Sequence, residues 1–278
     1  MTDEQPLRGA RVGAERDDNL LTLRLVWCPP GSFRMGSLRS EPWRQEDENR
    51  VGVRLTEGFW LGKYEVTQAE WRQLMRSSPW RGLEFGESGP RLPAANISWD
   101  GAWEFVARLT RGERRAGRLP ANWEYTLPTE AQWEYACRAG STTAYCFGNS
   151  PDLLSDYAWW GGEEGDGNAR GVRHAREVGQ RRPNAWGLHD MHGNVCEWCR
   201  DTYGAKLPGG RDPLVEDASA THRVIRGGDW TWRSWGCRSA GRGLGKPATS
   251  NILRGFRVAL CAVRAGRGES GTVTTSRR

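Results

Sequence analysis

The sequence predicts a loop-rich α+β domain in which strands from the two ends of the chain share one sheet, with two or three helices between them. Three observations support this class. Apolar residues alternate with others near each end, helix-capping motifs occur in the first half, and long glycine-rich stretches without a period follow. Sixteen Trp, 36 Gly and 14 Pro among 278 residues favour an aromatic, loop-rich core over a helical bundle.

The two strand segments come from the alternation. Every second residue from Leu21 to Trp27 is large and apolar, and Phe256 to Leu260 repeats the pattern. Alternation of this kind places one face of a strand against a core. Two such strands at opposite ends of one domain predict that both lie in one sheet.

Helix starts are read from capping residues. The segments Thr67–Glu70 and Thr129–Gln132 have the spacing of capping boxes, and Ser98 is a further N-cap candidate. Apolar positions at helical spacing follow each one. Gly140 predicts the end of the third helix, because glycine adopts the left-handed conformation of a helix C-terminus.

The predicted domain spans residues 19–264. Residues 1–18 are polar, and we expect a flexible N-terminal tail there. Residues 265–278 are rich in Gly, Ser, Thr and Arg, which predicts a disordered C-terminal tail.

Charge and hydropathy restrict the partners and the location. The net charge is +6, but both signs are interspersed and there is no long basic run, so specific nucleic-acid binding is not predicted. No stretch approaches 18 apolar residues, which argues against a membrane span. Because the N-terminus lacks the features of a signal peptide, we predict a cytoplasmic protein, with export by another route left open.

Seven cysteines are an odd number, and free thiols are the default in a chain without an export signal. Cys196 and Cys199 form a lone CxxC. Neither a second CxxC nor paired histidines complete a zinc site, so buried thiols are expected.

An ordered series of motifs resembles the formylglycine-generating-enzyme (sulfatase-modifying factor) family, a loop-rich branch of the C-type lectin fold. Any one motif is weak, but their order spans residues 25 to 260. The matching segments are 30–36, 64–67, 97–99, 127–136, 183–188, 193–198, 226–228 and 255–257. The resemblance implies that fold, but the family includes oxidases, iron enzymes and binding proteins, so the chemistry depends on the site.

By resemblance, the family's oxidase holds copper(I) between two cysteines that follow the Arg-Gly-Gly motif, five positions apart. The corresponding positions here are Trp232 and Cys237, and an indole cannot ligate copper. The family's iron enzymes draw histidines partly from an additional domain, whereas here the histidines are scattered. They are His174, His189, His192 and His222. We therefore predict that the protein is not an enzyme and binds no copper.

The resemblance also implies a structural calcium site beside the turn at residues 193–197. Its ligands would be the side chains of Asp190 and Glu197 and the backbone carbonyls of Gly193 and Val195. Carboxylates and backbone oxygens on a tight turn suit a hard cation. The alternative is that the two carboxylates only cap turns.

The segment 223–260, called the C-terminal segment below, resembles the variable proteins of diversity-generating retroelements still more closely. Its frame is Arg223–Trp230, Cys237–Arg242 and Gly255–Val258. In those proteins a reverse transcriptase copies a template with errors at adenines, and the positions between frame residues vary. By that resemblance the variable, ligand-binding positions here are Asp229, Thr231, Trp232, Arg233, Trp235, Gly236, Gly241, Gly243, Leu244, Gly245, Lys246, Thr249, Ile252 and Leu253.

These observations predict a non-catalytic ligand-binding protein with a diversified surface on a C-type lectin fold, and Trp230, Arg238, Ser239, Ala240 and Arg242 are expected to be packed framework. Trp and Arg are typical binding anchors. The partner would be a protein or another macromolecule that the sequence does not identify. Three alternatives stay open: a copper-dependent formylglycine-generating oxidase, an undiversified family member, and a binder of nucleic-acid or membrane surfaces.

Overall fold

A computed structural model describes residues 7–163 and 174–263. Strands and helices follow one another as the sequence predicts, with additional short strands. The strands are β1 Glu15–Arg16, β2 Leu25–Cys28, β3 Gly31–Met35, β4 Val51–Leu55, β5 Phe59–Gly62, β6 Trp123–Thr126, β7 Cys196–Thr202, β8 Gly210–Arg211, β9 Arg223–Arg226, β10 Arg242–Gly245, β11 Arg254–Gly255 and β12 Ala259–Ala262. The helices are α1 Gln68–Met75, α2 Trp99–Arg115, α3 Glu130–Arg138 and α4 Leu154–Tyr157, with 3₁₀ turns at Pro151–Leu153 and Ser234–Cys237.

The main sheet has the order β1-β2-β5-β12-β6, which brings both ends of the domain together. Strand β2 pairs with β5, and β5 pairs with β12, all antiparallel. The predicted α+β class and the shared sheet are therefore confirmed.

This sheet is covered on both faces, which the alternation did not predict. Leu25 and Trp27 pack on one side with residues of α2, while Val26 and Cys28 pack on the other with residues of α3. The predicted C-terminal alternation also treated Arg257 as outward-facing, but its side chain is fully buried. An arginine is stable there because its charge is paired, as described below.

All three predicted helix starts are confirmed. The side chains of Thr67 and Thr129 each close a capping box, and the Ser98 hydroxyl accepts a hydrogen bond from the Gly101 amide. At the end of α3 two consecutive residues adopt the left-handed conformation, Ala139 as well as the expected Gly140. The short α4 was not predicted.

The C-terminal segment supplies three of the four strands of a second sheet, ordered β10-β9-β7-β11. Arg242 on β10 lies directly opposite Arg226 on β9. Strand β11 runs parallel to β7 and places Gly255 opposite Glu197. A third sheet, β3-β4-β8, completes the fold.

The expected flexible tail over residues 1–18 is wrong for residues 7–18. Leu7 is buried and its carbonyl accepts a hydrogen bond from Trp60 Nε1 at 2.5 Å. Strand β1 pairs with β2, and Glu15 forms an ion pair with Lys63 at 2.6 Å. Polar composition misled the prediction, because one buried leucine and strand pairing suffice to dock the segment. The predicted C-terminal tail, 265–278, lies outside the described residues. In the part of the chain described here, no helix is long and apolar enough to cross a membrane.

Candidate functional site

The C-terminal segment encloses an open cavity of about 570 Å³ at one end of the second sheet. Strands β9 and β10, the 3₁₀ turn at Ser234–Cys237 and the loop carrying Gln45 and Glu48 form its walls. Eight of the fourteen predicted variable positions line it. They are Asp229, Trp232, Trp235, Gly236, Gly241, Gly243, Leu244 and Leu253. The segment in which the sequence predicts the variable positions therefore also carries this cavity, and the binding role of those positions stays a prediction.

Buried arginines on β9 and β10 anchor the cavity to α3. Glu130 and Glu134 are one helical turn apart and face the opposed pair Arg226 and Arg242. Arg242 donates to both oxygens of Glu130 at 2.6 and 2.9 Å, and Arg226 donates to Glu134. The arginine and glutamate side chains are at most 2% exposed. Paired charges in such a dry environment hold the two strands in one position on the helix.

Arg238 anchors the other side of the cavity to the loop at residues 41–48. Its guanidinium donates to both oxygens of Glu48 at 2.6 and 2.9 Å and to Glu41 at 2.6 Å. It also donates to the backbone carbonyls of Trp43 and Trp235. The side chains of Arg238 and Glu48 are 2% and 0% exposed. One residue of the C-terminal segment thus fixes a loop almost 200 positions earlier in the chain.

The predicted framework is confirmed, because Trp230, Arg238, Ser239 and Ala240 are buried and the Arg242 side chain is 1% exposed. The carboxylate partners in the loop were missed. The sequence did carry a signal for them: the framework arginines Arg238 and Arg242 require acidic partners when buried, and residues 41–48 are rich in acids.

Most predicted variable positions lie at the surface. Trp232 is 41% exposed and Leu244 is 45% exposed. The rings of Trp232 and Trp235 meet nearly at a right angle, with centroids 4.9 Å apart. The other exposed positions are Thr231, Arg233, Lys246 and Thr249, and the half-buried ones are Trp235, Gly236, Gly241, Gly243, Ile252 and Leu253. Ile252 packs against the core from its position at the rim.

Two predicted variable positions do not project outward, which corrects the expectation that all of them do. Asp229 is 1% exposed and lies on the inner wall of the cavity. Gly245 is buried, and a Cβ atom added there would lie 2.6 Å from Trp198. Gly236 is also constrained, because an added Cβ would lie 2.2 Å from the Trp232 ring. The frame motif alone does not show how deep each intervening position lies.

Asp229 is the most unusual group of the cavity. Burial raises the pKa of its carboxyl to about 6, although hydrogen bonds from Thr231 and Trp232 oppose the shift. Thr231 donates to Oδ1 through its amide at 2.9 Å and its hydroxyl at 2.6 Å. Among the described residues Asp229 forms no ion pair, unlike Glu48 on the opposite wall.

The geometry around Cys237 disfavours copper chemistry. Its thiol is fully buried, and burial raises its pKa well above the usual range, which opposes the thiolate that copper(I) needs. Trp232 occupies the other position. His192 is also buried, and its Nδ1 atom forms a hydrogen bond of 2.8 Å with the backbone carbonyl oxygen of Cys237.

The CxxC pair cannot act as a dithiol within this strand. Cys196 and Cys199 lie three positions apart on β7. Residues at an odd separation on a strand point to opposite faces, about 10 Å apart along it. A disulfide requires Cα atoms within about 7 Å. The expectation of free thiols agrees with this geometry.

The two predicted calcium carboxylates, Asp190 and Glu197, are near enough to interact, but Glu197 is already engaged. Among the described residues no three His, Cys, Asp or Glu side chains are arranged as metal ligands. Both oxygens of Glu197 accept hydrogen bonds from Arg257, at 2.6 and 2.7 Å. Asp190 accepts one bond from the Gly179 amide through Oδ2, while its buried Oδ1 has no hydrogen-bond partner. Glu65, missed from the sequence, holds the turn by accepting from the Val195 amide at 3.1 Å.

The negative charge of Glu65, Asp190 and Glu197 favours a bound cation, whereas the engagement of Glu197 by Arg257 opposes one. Burial and neighbouring carboxylates raise the pKa of Glu65, and burial raises that of Asp190 to about 6. Three buried carboxylates therefore face one arginine, Arg257. The unpartnered Asp190 oxygen fits a calcium ligand, but calcium would compete with Arg257 for Glu197. Calcium stays a prediction.

Comparison with known proteins agrees with this architecture. A family model, the sulfatase-modifying factor enzyme 1-like domain, matches residues 13–262. The formylglycine-generating enzyme of Streptomyces coelicolor is 33% identical over 266 residues, covering 90% of this chain and 71% of the relative. The inactive C-alpha-formylglycine-generating enzyme 2 of Mus musculus is 32% identical over 209 residues, covering 71% and 58%.

Two solved structures superpose on most of the chain. PvdO from Pseudomonas aeruginosa matches with a TM-score of 0.77 and 25% identity, covering 91% of this chain and 99% of that one. Treponema denticola variable protein 1 matches with a TM-score of 0.70 and 25% identity, covering 85% and 94%.

The chain therefore belongs to the sulfatase-modifying factor family and has its C-type lectin fold. The resemblance seen in the sequence motifs is confirmed. Membership alone does not define an activity, since relatives named as active and as inactive enzymes both match.

Proposed function

We propose that this protein is a non-catalytic ligand-binding protein of a diversity-generating retroelement, with its C-terminal segment as the diversified surface. The observation that carries the proposal is the separation of roles along that segment. Frame residues are buried and ion-paired, while most intervening side chains are exposed or line an open cavity. A surface arranged in this way can change its side chains and keep its backbone.

The energetics support the same conclusion. Substitutions at exposed positions change stability by within about 0.5 kcal/mol. Removal of one partner from a buried ion pair costs about 3–5 kcal/mol. Exposed positions such as Leu244 and Lys246 are therefore free to vary, whereas Arg226 and Arg238 are not. Likeness to Treponema denticola variable protein 1 adds support.

The expected partner is a protein or another macromolecule of similar size. Trp232, Trp235 and Arg233 are residue types that dominate binding energy at interfaces. Interfaces of this kind bury on the order of 800 Å² on each partner. The exposed part of the segment surrounds the cavity, so that a partner contacts both.

The first test is the DNA beside the coding sequence. We expect a near-copy of the codons for residues 223–258 that differs at adenines, together with a reverse-transcriptase gene. Absence of both removes the diversification claim.

The second test is a pair of displayed libraries. One library randomises the two exposed positions Leu244 and Lys246, and the matched library randomises the two buried positions Arg226 and Arg238. Folding is scored by resistance to protease. Most members of the first library are expected to fold and most of the second to unfold, and equal survival contradicts the proposal.

A copper-dependent formylglycine-generating oxidase is the second candidate, supported by the 33% identity to the Streptomyces enzyme. The buried Cys237 and the indole of Trp232 oppose it. We expect no stoichiometric copper(I) binding in a competition titration and no aldehyde in a cysteine-containing peptide. Copper binding that disappears in Cys237→Ala, together with aldehyde formation, would establish the oxidase instead.

A further inference from the structure

We propose that the cavity in this chain accepts a cationic side chain of the protein partner, an arginine or lysine, in the corner formed by the rings of Trp232 and Trp235 and against the carboxylate of Asp229. The inference rests on the proposed function, because it takes the cavity as the ligand-binding site. It names the chemistry that this particular set of side chains selects.

The carboxylate is the first observation. Only two acidic side chains line the cavity among the described residues, Asp229 and Glu48. Glu48 is neutralised by Arg238 at 2.6 Å, whereas Asp229 forms no ion pair with any described residue. A buried and unmatched negative charge attracts a cation more strongly than an exposed one, because water screens it less.

The aromatic walls are the second, independent observation. Trp232 and Trp235 stand at 78° to each other with ring centroids 4.9 Å apart, so they form two adjacent sides of a box. The faces of indole rings attract cations, and aromatic boxes recognise alkylated ammonium groups in this way. Gly241 and Gly243 leave the remaining volume open, since neither carries a side chain into it.

Four arginines also line the cavity, and they oppose a cationic ligand. Arg226, Arg238 and Arg242 are paired with carboxylates, as described above, whereas Arg254 has no ion pair among the described residues. Its guanidinium lies over the Trp198 ring at 5.2 Å and donates to the Thr249 hydroxyl. The pKa of Asp229 is set mainly by burial and by its hydrogen bonds. Arg254 is not one of the main influences on it. An acidic partner group on Arg254 is the competing outcome that the test must separate.

The test uses four capped amino acids as probes: N-acetyl methylamides of arginine, lysine, citrulline and glutamate. Citrulline has the shape of arginine without its charge. Binding to the full chain is measured by ligand-observed NMR titration. We expect the arginine or lysine probe to bind roughly tenfold more tightly than citrulline, the selectivity that about 1.4 kcal/mol of charge interaction provides. The comparison of arginine with lysine identifies the preferred cation.

The variants are Asp229→Asn, Trp232→Ala and Arg254→Gln, each first checked for folding by thermal unfolding. Asp229→Asn is expected to abolish the preference over citrulline. Trp232→Ala is expected to weaken binding of the cationic probe several-fold. Because Trp232 is exposed, this variant should stay folded and keeps the test valid if Asp229→Asn unfolds the protein. Arg254→Gln retains or improves binding of the cation.

Acidification provides a second readout. The affinity for the cationic probe should fall as the pH drops through about 6, where Asp229 becomes protonated. The affinity for citrulline should stay constant over the same range. The nearby thiols of Cys196 and Cys237 stay neutral, because burial raises their pKa values.

Three results overturn the inference. They are equal binding of arginine and citrulline, tighter binding of the glutamate probe, and no binding of either cation at the highest soluble concentration. These results leave the library experiment unaffected, because that experiment tests whether the surface can vary. Failure of the binding preference and failure of the proposed function are therefore distinguishable.

Discussion

Replacement of Arg238 by alanine is expected to destabilise the protein strongly, although Arg238 belongs to a segment that otherwise tolerates change. Arg238 makes five hydrogen bonds, three of them to Glu41 and Glu48. The variant leaves the carboxylate of Glu48 buried, with its side chain 0% exposed. An uncompensated charge of this kind costs about 3–5 kcal/mol.

The measurement is thermal unfolding with urea unfolding in parallel. For a domain of about this size, each kcal/mol lowers the Tm by roughly 2–4 °C, so the expected drop is about 6–20 °C. Lys246→Ala is the matched control, because Lys246 is an exposed cation of the same segment. The Lys246→Ala variant should lose no more than about 0.5 kcal/mol of unfolding free energy.

A double variant separates the charge from the packing. Arg238→Met combined with Glu48→Leu removes the charges of these two residues and leaves only the carboxylate of Glu41 without its partner. An apolar pair of similar volume is often as stable as a buried ion pair. We expect it to recover at least about 2 kcal/mol relative to Arg238→Met alone. If Arg238→Ala loses no more than Lys246→Ala, the assignment of Arg238 as framework is wrong.

Three further predictions concern titration, thiols and calcium. Burial raises the pKa values of Asp190 and Asp229 to about 6 and that of Asp201 to about 7, so the folded state holds protons that the unfolded state releases above about pH 4. The free energy of unfolding in urea should therefore fall as pH rises from about 4 to 7, and a rise across that window contradicts these shifts. Maleimide should label Cys146 and Cys261 first in the native protein, as read by peptide mass spectrometry, and Cys196 more slowly, because burial raises its pKa although it is also half-buried. Rapid labelling of fully buried thiols contradicts the packing. Calcium should raise the Tm more at pH 7 than at pH 5, because protons compete with calcium for Asp190. The Asp190→Ala variant should show no such rise in Tm. A Tm that calcium leaves unchanged in the unsubstituted protein excludes the site.

The helices show what local sequence can predict. The starts of α1, α2 and α3 agree with the capping residues, because an N-cap and its partner are at most three positions apart. The frame of the C-terminal segment was also visible, since its motif order is continuous in the chain.

Depth within the fold could not be predicted in the same way. Arg257 alternates with apolar residues as an outward-facing residue would, yet it is buried because Glu197 on β7 reaches it. Asp229 is an intervening position of the motif like its exposed counterparts, yet its side chain is buried and lines the cavity.

The sequence by itself determined the helix starts, the family and the segment that carries the cavity, because these depend on residues close together in the chain. Only the tertiary structure decided which side chains of that segment are free. Arg238 is fixed by Glu48, 190 positions away, and Arg242 by Glu130, 112 positions away. The free energy of a buried charge depends on such distant partners, and neighbouring residues in the chain do not reveal them.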